Sequence, residues 1–168
     1  MKSTLFLTAL FVSYSTFATA NMNVSHDIVQ GEWMCQIPYN NGKAMDYFTQ
    51  DLRPDGQMVT TGTLVIQKIL TYEYMQAGKW SLKDNVLTIH SEQNNAVRVH
   101  AKETEQLLNQ NAQLRQAEAE IFRNVQEGSD LSSDLSLQIT ELTNKTMTFL
   151  QTDKNTDSRI IGECRKRQ

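Results

Sequence analysis

The stretch "YFTQDLRPDGQMVTTGTLVI", residues 47–66, reads as a single β-hairpin and sets the period for the rest of the chain. Pro54 presets the first turn position, Asp55 suits the second, and Gly56 takes the left-handed site of a three-residue loop. That loop pairs Arg53 with Gln57, so Leu52 faces Met58 and Phe48 faces Gly62. The large apolar groups then share one face, with a gap at Gly62 that the Phe48 ring can fill. Turn chemistry and hydrophobic pattern specify the same register.

Downstream, "YEYMQAGKWSLKDNVLTIHS" (72–91) repeats the logic with a different loop. Asp84 and Asn85 both tolerate left-handed backbone and make a two-residue turn, which sets Leu82 against Leu87 and Trp80 against Ile89. A slip of one residue would oppose Trp80 to Thr88. The same parity carries Tyr72 and Tyr74 onto the inner face, unless Gly78 forms a bulge that undoes the extension.

The period changes at "AKETEQLLNQNAQLRQAEAEIFRNVQEG" (101–128), which has no Pro and no internal Gly and ends at Gly128, a C-terminal cap. It predicts one long helix over about 102–127. Its stripe of Leu107, Leu108, Ala112, Leu114, Ile121, Phe122 and Val125 is expected to pack on the outside or open end of the sheet. As a partner-binding helix it would present Leu107, Leu114, Ile121 and Phe122. Strand patterns also occur in "GEWMCQIP", "NNAVRVHA", "SDLSLQITEL", "KTMTFLQT" and "SRIIGECR", with turns around Thr143-Asn144 and "DKNTD". The expected fold is mainly β: an antiparallel meander β-barrel of about eight to nine strands with one long inserted α-helix, closure removing the unpaired edges. An odd strand count would make the first and last strands parallel, so nine runs imply that one is not a strand or that closure is not simple.

Residues 1–20, "MKSTLFLTALFVSYSTFATA", read as a signal peptide: Lys2, an apolar run from Leu5 to Val12, and Ala18 and Ala20 at an A-x-A cleavage site. Residues 21–168 then form one domain of the usual size. No later segment is apolar enough to span a bilayer. An exported chain can hold a disulfide, and Cys35 and Cys164 are its only cysteines. In a closed meander the first and last strands are neighbours, so the two are expected to bond. If they are directly opposed on antiparallel strands, Trp33 lies across from Lys166 in a cation–π contact.

Without Lys2 the chain carries 15 basic and 19 acidic residues, and its one dense basic run, Arg165-Lys166-Arg167, is a solvated tail; no nucleic-acid footprint is present. His90 and His100 are expected to face solvent, opposite Leu87, Ile89, Val97 and Val99, while His26 lies in the N-terminal lead. Glu103, Glu105, Glu118 and Glu120 are expected on a solvated helix face. No metal-ligand spacing, nucleophile motif or phosphate-cradling loop occurs, so no cofactor, metal or catalytic residue is assigned.

The segment "SHDIVQGEWMC" (25–35) resembles the opening of a lipocalin-like barrel, a helical turn leading into G-x-W, here Gly31-Glu32-Trp33. The resemblance implies a basic residue of the last strand beside that Trp, Arg165 or Lys166, and a habit of ligand binding. It departs from the family in the helix, which lipocalins place after the eighth strand. The leading expectation is an exported non-enzymatic binding protein holding a small apolar ligand, with Phe48, Tyr72, Tyr74 and Trp80 as lining. The alternative is a periplasmic inhibitor or immunity-type protein that blocks an exported enzyme through one protein partner.

Overall fold

In the computed structural model, which describes residues 24–127, 134–152 and 159–167, both sequence-predicted hairpins have the expected register. Strands β2 (Ala44–Leu52) and β3 (Gln57–Ile66) pair with Leu52 opposite Met58 and Phe48 opposite Gly62. Arg53 N–H donates to the Gln57 carbonyl at 2.9 Å, and Gly56 has φ +79°. Strands β4 (Leu70–Lys83) and β5 (Val86–Arg98) turn through Asp84 (φ 53°) and Asn85 (φ 61°), placing Trp80 opposite Ile89. The predicted signal peptide, the Gly128 cap and the "DKNTD" turn lie outside the described residues.

With β1 (Gly31–Tyr39), β6 (Leu135–Leu142), β7 (Thr146–Thr152) and β8 (Arg159–Lys166), the strands close in sequence order into one antiparallel barrel. There are eight strands rather than nine, because "LTIHS" and "NNAVRVHA" are one continuous strand, β5. The even number makes β1 and β8 antiparallel. Cys35 and Cys164 are direct partners, bonded with Cα atoms 4.0 Å apart. Trp33 lies opposite Lys166, whose ammonium sits 5.1 Å from the ring centroid and donates to the Ile28 carbonyl at 2.9 Å. Lys166, not Arg165, is therefore the basic residue packed against the Trp.

The fusion of two runs into β5 depends on a bulge. Ala77 pairs with Gln93 but Gly78 pairs with Ser91, leaving Glu92 as an extra residue on β5. A side chain at Gly78 would run into the His90 carbonyl, so the bulge needs glycine there. Strand β4 keeps one parity throughout, and Tyr72 and Tyr74 share the inner face with Trp80. The parity of β5 reverses instead. Ala96 is buried, while Val97 and Val99 are exposed, contrary to the expected inward packing.

Short helix α1 (His26–Val29) closes one end of the barrel: Trp33 Nε1–H donates to the Val29 carbonyl at 2.7 Å, and the His26 ring stacks on Trp80 at 4.3 Å. The other end is covered by the insertion between β5 and β6. It is two helices, α2 (Lys102–Gln110) and α3 (Ala112–Glu127), not one. The break is at Asn111, extended at φ −125°, ψ 102°, whose Oδ1 accepts the Leu114 N–H at 3.0 Å. Asparagine competes for backbone donors in this way and so starts a new helix inside an otherwise favourable sequence. Leu108, Leu114, Ile121, Phe122 and Val125 pack on Leu70 and Tyr72 at the barrel mouth.

Breaking the Cys35–Cys164 bond, by reduction or by Cys35→Ala with Cys164→Ala, is expected to lower stability by roughly 2–5 kcal/mol while the β-sheet signal persists. Urea unfolding followed by circular dichroism measures both.

Candidate functional site

Inside the barrel, the end near α1 is apolar and filled: Trp33, Leu52, Met58, Leu87, Ile139, Met147 and Phe149 are buried in one cluster with both cysteines. Toward the helical end the interior becomes polar. Asp46 points inward from β2, and both its oxygens are served by one hydroxyl, Tyr74 Oη, at 2.9 Å. Burial outweighs that bond and pushes the Asp46 carboxyl up to about 7. Burial, and then the charge of Asp46, raise Tyr39 and Tyr74 above the usual phenol range. The proposed ligand-lining residues Phe48, Tyr72, Tyr74 and Trp80 all lie on the inner face but do not form one wall: Trp80 belongs to the α1 end, Tyr72 to the helical lid, and the Tyr74 ring lies over Gly62 of the next strand.

The lid is pinned by a charge cluster. Glu118, expected on a solvated helix face, is buried on α3 and accepts from Arg98 Nε at 2.7 Å, Tyr72 Oη at 3.2 Å and His100 Nε2 at 3.3 Å. The His100 Nδ1 accepts the Thr71 N–H at 3.0 Å, which leaves the other ring nitrogen to donate to Glu118. His100 is thus buried, not solvent-facing, because its chain turns over the barrel rim beyond β5. Burial raises the Glu118 carboxyl, but the bonds from Arg98, His100 and Tyr72 together prevail and hold it below its ordinary value. The Arg98 guanidinium also stacks on Phe122 at 3.6 Å. Of the helix residues named as partner-binding, Leu114, Ile121 and Phe122 are packed against the barrel and Leu107 is exposed. His90, which faces solvent as expected, pairs with Asp134 at 2.8 Å.

A concavity of about 940 Å³ lies on the outside of the barrel. Strand register resolves its lining into two rows. One runs Arg165, Met34, Thr49, Thr61, Met75, Asn95; the other runs Glu163, Gln36, Tyr47, Thr63, Glu73, Val97. Between them, the side chains of Cys35, Phe48 and Tyr74 point inward and Gly62 has none, so the backbones of these four residues form the floor. Three threonines keep the middle of the groove low. Among the described residues there are eight exposed large apolar side chains, and six share this outer face: Met34, Tyr47, Met75 and Val97 in the groove, with Val99 and Ile161 two residues beyond Val97 and Glu163. Such clustering on one face marks an interaction surface more than chance exposure does.

Sequence reasoning found none of the groove, Asp46 or Glu118. A signal for the groove was present in the paired apolar residues Trp33-Met34 and Tyr47-Phe48, since neighbours on a strand cannot both face inward. No side-chain cluster able to hold a metal ion occurs, and no helix is long and apolar enough to cross a membrane, among the described residues.

The fold is that of a closed eight-stranded antiparallel barrel with a two-helix insertion, which meets the lipocalin-like expectation at the level of architecture. No protein-family model matches the chain, and no curated protein matches it. Among solved structures it is similar to a redesigned β-barrel, mFAP1, bound to DFHBI, at 11% identity and a TM-score of 0.39, over 84% of this chain and 96% of that one.

Two outcomes follow from the buried carboxyls. Asp46 binds a proton more tightly folded than unfolded, so it makes stability fall as pH rises from about 4 to about 7. Asp46→Asn should remove that slope and stabilise the protein at pH 8 by roughly 2–4 kcal/mol, read by urea unfolding across pH. Glu118 has the opposite sign: its contribution is present above the ordinary carboxylate range and is lost as pH falls through its depressed pKa. Glu118→Ala, which leaves the buried His100 and Tyr72 without an acceptor while Arg98, 39% exposed, turns to water, should cost roughly 1–3 kcal/mol and expose the amides of 102–127 to hydrogen exchange.

Proposed function

We propose that the protein is an exported, non-enzymatic binding protein that holds a protein partner against the outer groove, as an inhibitor or immunity-type factor does. The observation that carries this reading is the gathering of six exposed large apolar side chains on one outer face. Methionine and tyrosine suit such a role, the first because it adapts to varied contacts and the second because it covers area at low entropic cost. Export is supported by the N-terminal pattern and by the disulfide. A non-enzymatic role is supported by the setting of the two histidine–carboxylate pairs among the described residues. His100 and Glu118 are sealed under the lid, and His90 and Asp134 lie on the open surface.

A second reading, a small ligand enclosed by the barrel, is favoured by Asp46. A carboxyl inside the barrel with one hydroxyl as donor among the described residues has room for a second donor from a ligand, which would then be polar rather than purely apolar.

Capture from an extract of the source's exported proteins separates the two. Wild type is expected to retain one stoichiometric protein that Met34→Glu and Met75→Glu each lose and that Leu107→Glu, on the lid, keeps. Retention by both groove variants overturns the groove reading. A small molecule that copurifies with wild type in native mass spectrometry and is lost from Asp46→Asn establishes the second.

A further inference from the structure

We infer that the groove takes an extended polypeptide segment of about seven residues, laid across the strands, apolar in part and carrying a cationic side chain. The inference rests on the groove being the binding surface and adds what occupies it. Its length is set by the six strands it crosses, β8, β1, β2, β3, β4 and β5. Five interstrand spacings of about 4.8 Å span about 24 Å, the reach of about seven extended residues. Its width is set by its two rows, which stand two residues apart along each strand, or about 6.6 Å. An extended chain fits between them; an α-helix, about 10–12 Å across with its side chains, does not.

The closed sheet decides the mode of binding. Across the groove each strand is hydrogen-bonded to the next, from β8 to β5, so a segment laid across them meets no free edge there and is held by side chains rather than by strand addition. Met34 and Met75 stand at opposite ends of the low threonine stretch in one row, and Tyr47 and Val97 supply apolar contact in the other. Glu163 and Glu73 stand in the same row toward opposite ends of the groove; Glu163 accepts from Gln36 Nε2 at 3.4 Å, and neither forms an ion pair with another described residue. A lysine or arginine of the segment meets one or both, while Arg165, in the facing row, meets a carboxylate or the segment's own carbonyls. A glycan chain is disfavoured because the groove offers a single ring, Tyr47, on which a sugar could stack.

The test uses a fluorescein-labelled eight-residue peptide alternating lysine with leucine or valine. Its comparators are the same peptide with glutamate for lysine, an alanine-rich helical peptide of equal charge, and chitotetraose, all read by fluorescence polarisation or competition at fixed salt. The protein variants are Thr61→Trp with Thr63→Trp, which fills the groove from exposed or half-exposed positions without changing charge, and Glu73→Lys. The lysine peptide is expected to bind wild type, to bind the double tryptophan variant at least tenfold more weakly, and to bind Glu73→Lys several-fold more weakly. The glutamate peptide is expected not to bind. Equal binding by the tryptophan variant, by the helical peptide, or by chitotetraose in a groove-dependent manner overturns the inference. The tryptophan variant is also passed through the partner capture above. Loss of the partner with no binding of the extended peptide removes this inference and leaves the groove as the site; retention of the partner removes both.

Discussion

The structure depends on the short seam between β1 and β8. Four residue pairs join these strands, Trp33–Lys166 to Gln36–Glu163, against nine between β1 and β2. A seam that short would leave two exposed edges whenever it opened. The Cys35–Cys164 bond sits within it, and Lys166 braces it by reaching the Trp33 ring and the Ile28 carbonyl. Linking residues 129 apart in sequence removes much of the freedom of the unfolded chain, while the barrel supplies the opposed geometry without help. The same pairing leaves the groove between β8 and β5 to act through side chains.

The two ends of the barrel are closed by different physics. At the α1 end, indole N–H groups are satisfied by backbone carbonyls, Trp33 by Val29 and Trp80 by Arg53, and apolar burial does the rest. At the other end one carboxylate, Glu118, collects three donors, from β4, from β5 and from His100 two residues beyond β5, so that burial of a charge is offset by charge-assisted bonds. Asn94 completes the attachment by donating to the carbonyls of Val125 and Gln126 at the end of α3. Asp46, with one donor among the described residues, has less compensation, and its proton is retained to near neutrality.

One inserted residue shapes the outer face. Glu92 shifts β5 by one against β4, so Ala96 turns inward beneath the lid while Val97 joins the groove and Val99 extends the same outer surface. Without the bulge the two valines would face the core and the row ending at Val97 would lose its apolar terminus.

Turns are local, and the sequence by itself determined them: the Pro54-Asp55-Gly56 and Asp84-Asn85 loops set their hairpins because backbone preference and apolar pairing act within a few residues. The strand count, read as eight to nine, and the cysteine pairing were also within reach, since a meander of even number has one closure and two cysteines have one partner each. The rest was decided by tertiary structure. Alternation along a strand states which residues share a face but not which face is inside, and a bulge such as Glu92 reverses the answer with no signature beyond a glycine on the neighbouring strand. Glu118 looked like any surface glutamate until Arg98, His100 and Tyr72 converged on it from positions 18 to 46 residues away. The groove has the same origin. Its rows are assembled from six strands, one residue from each, and only closure of the sheet sets those residues side by side.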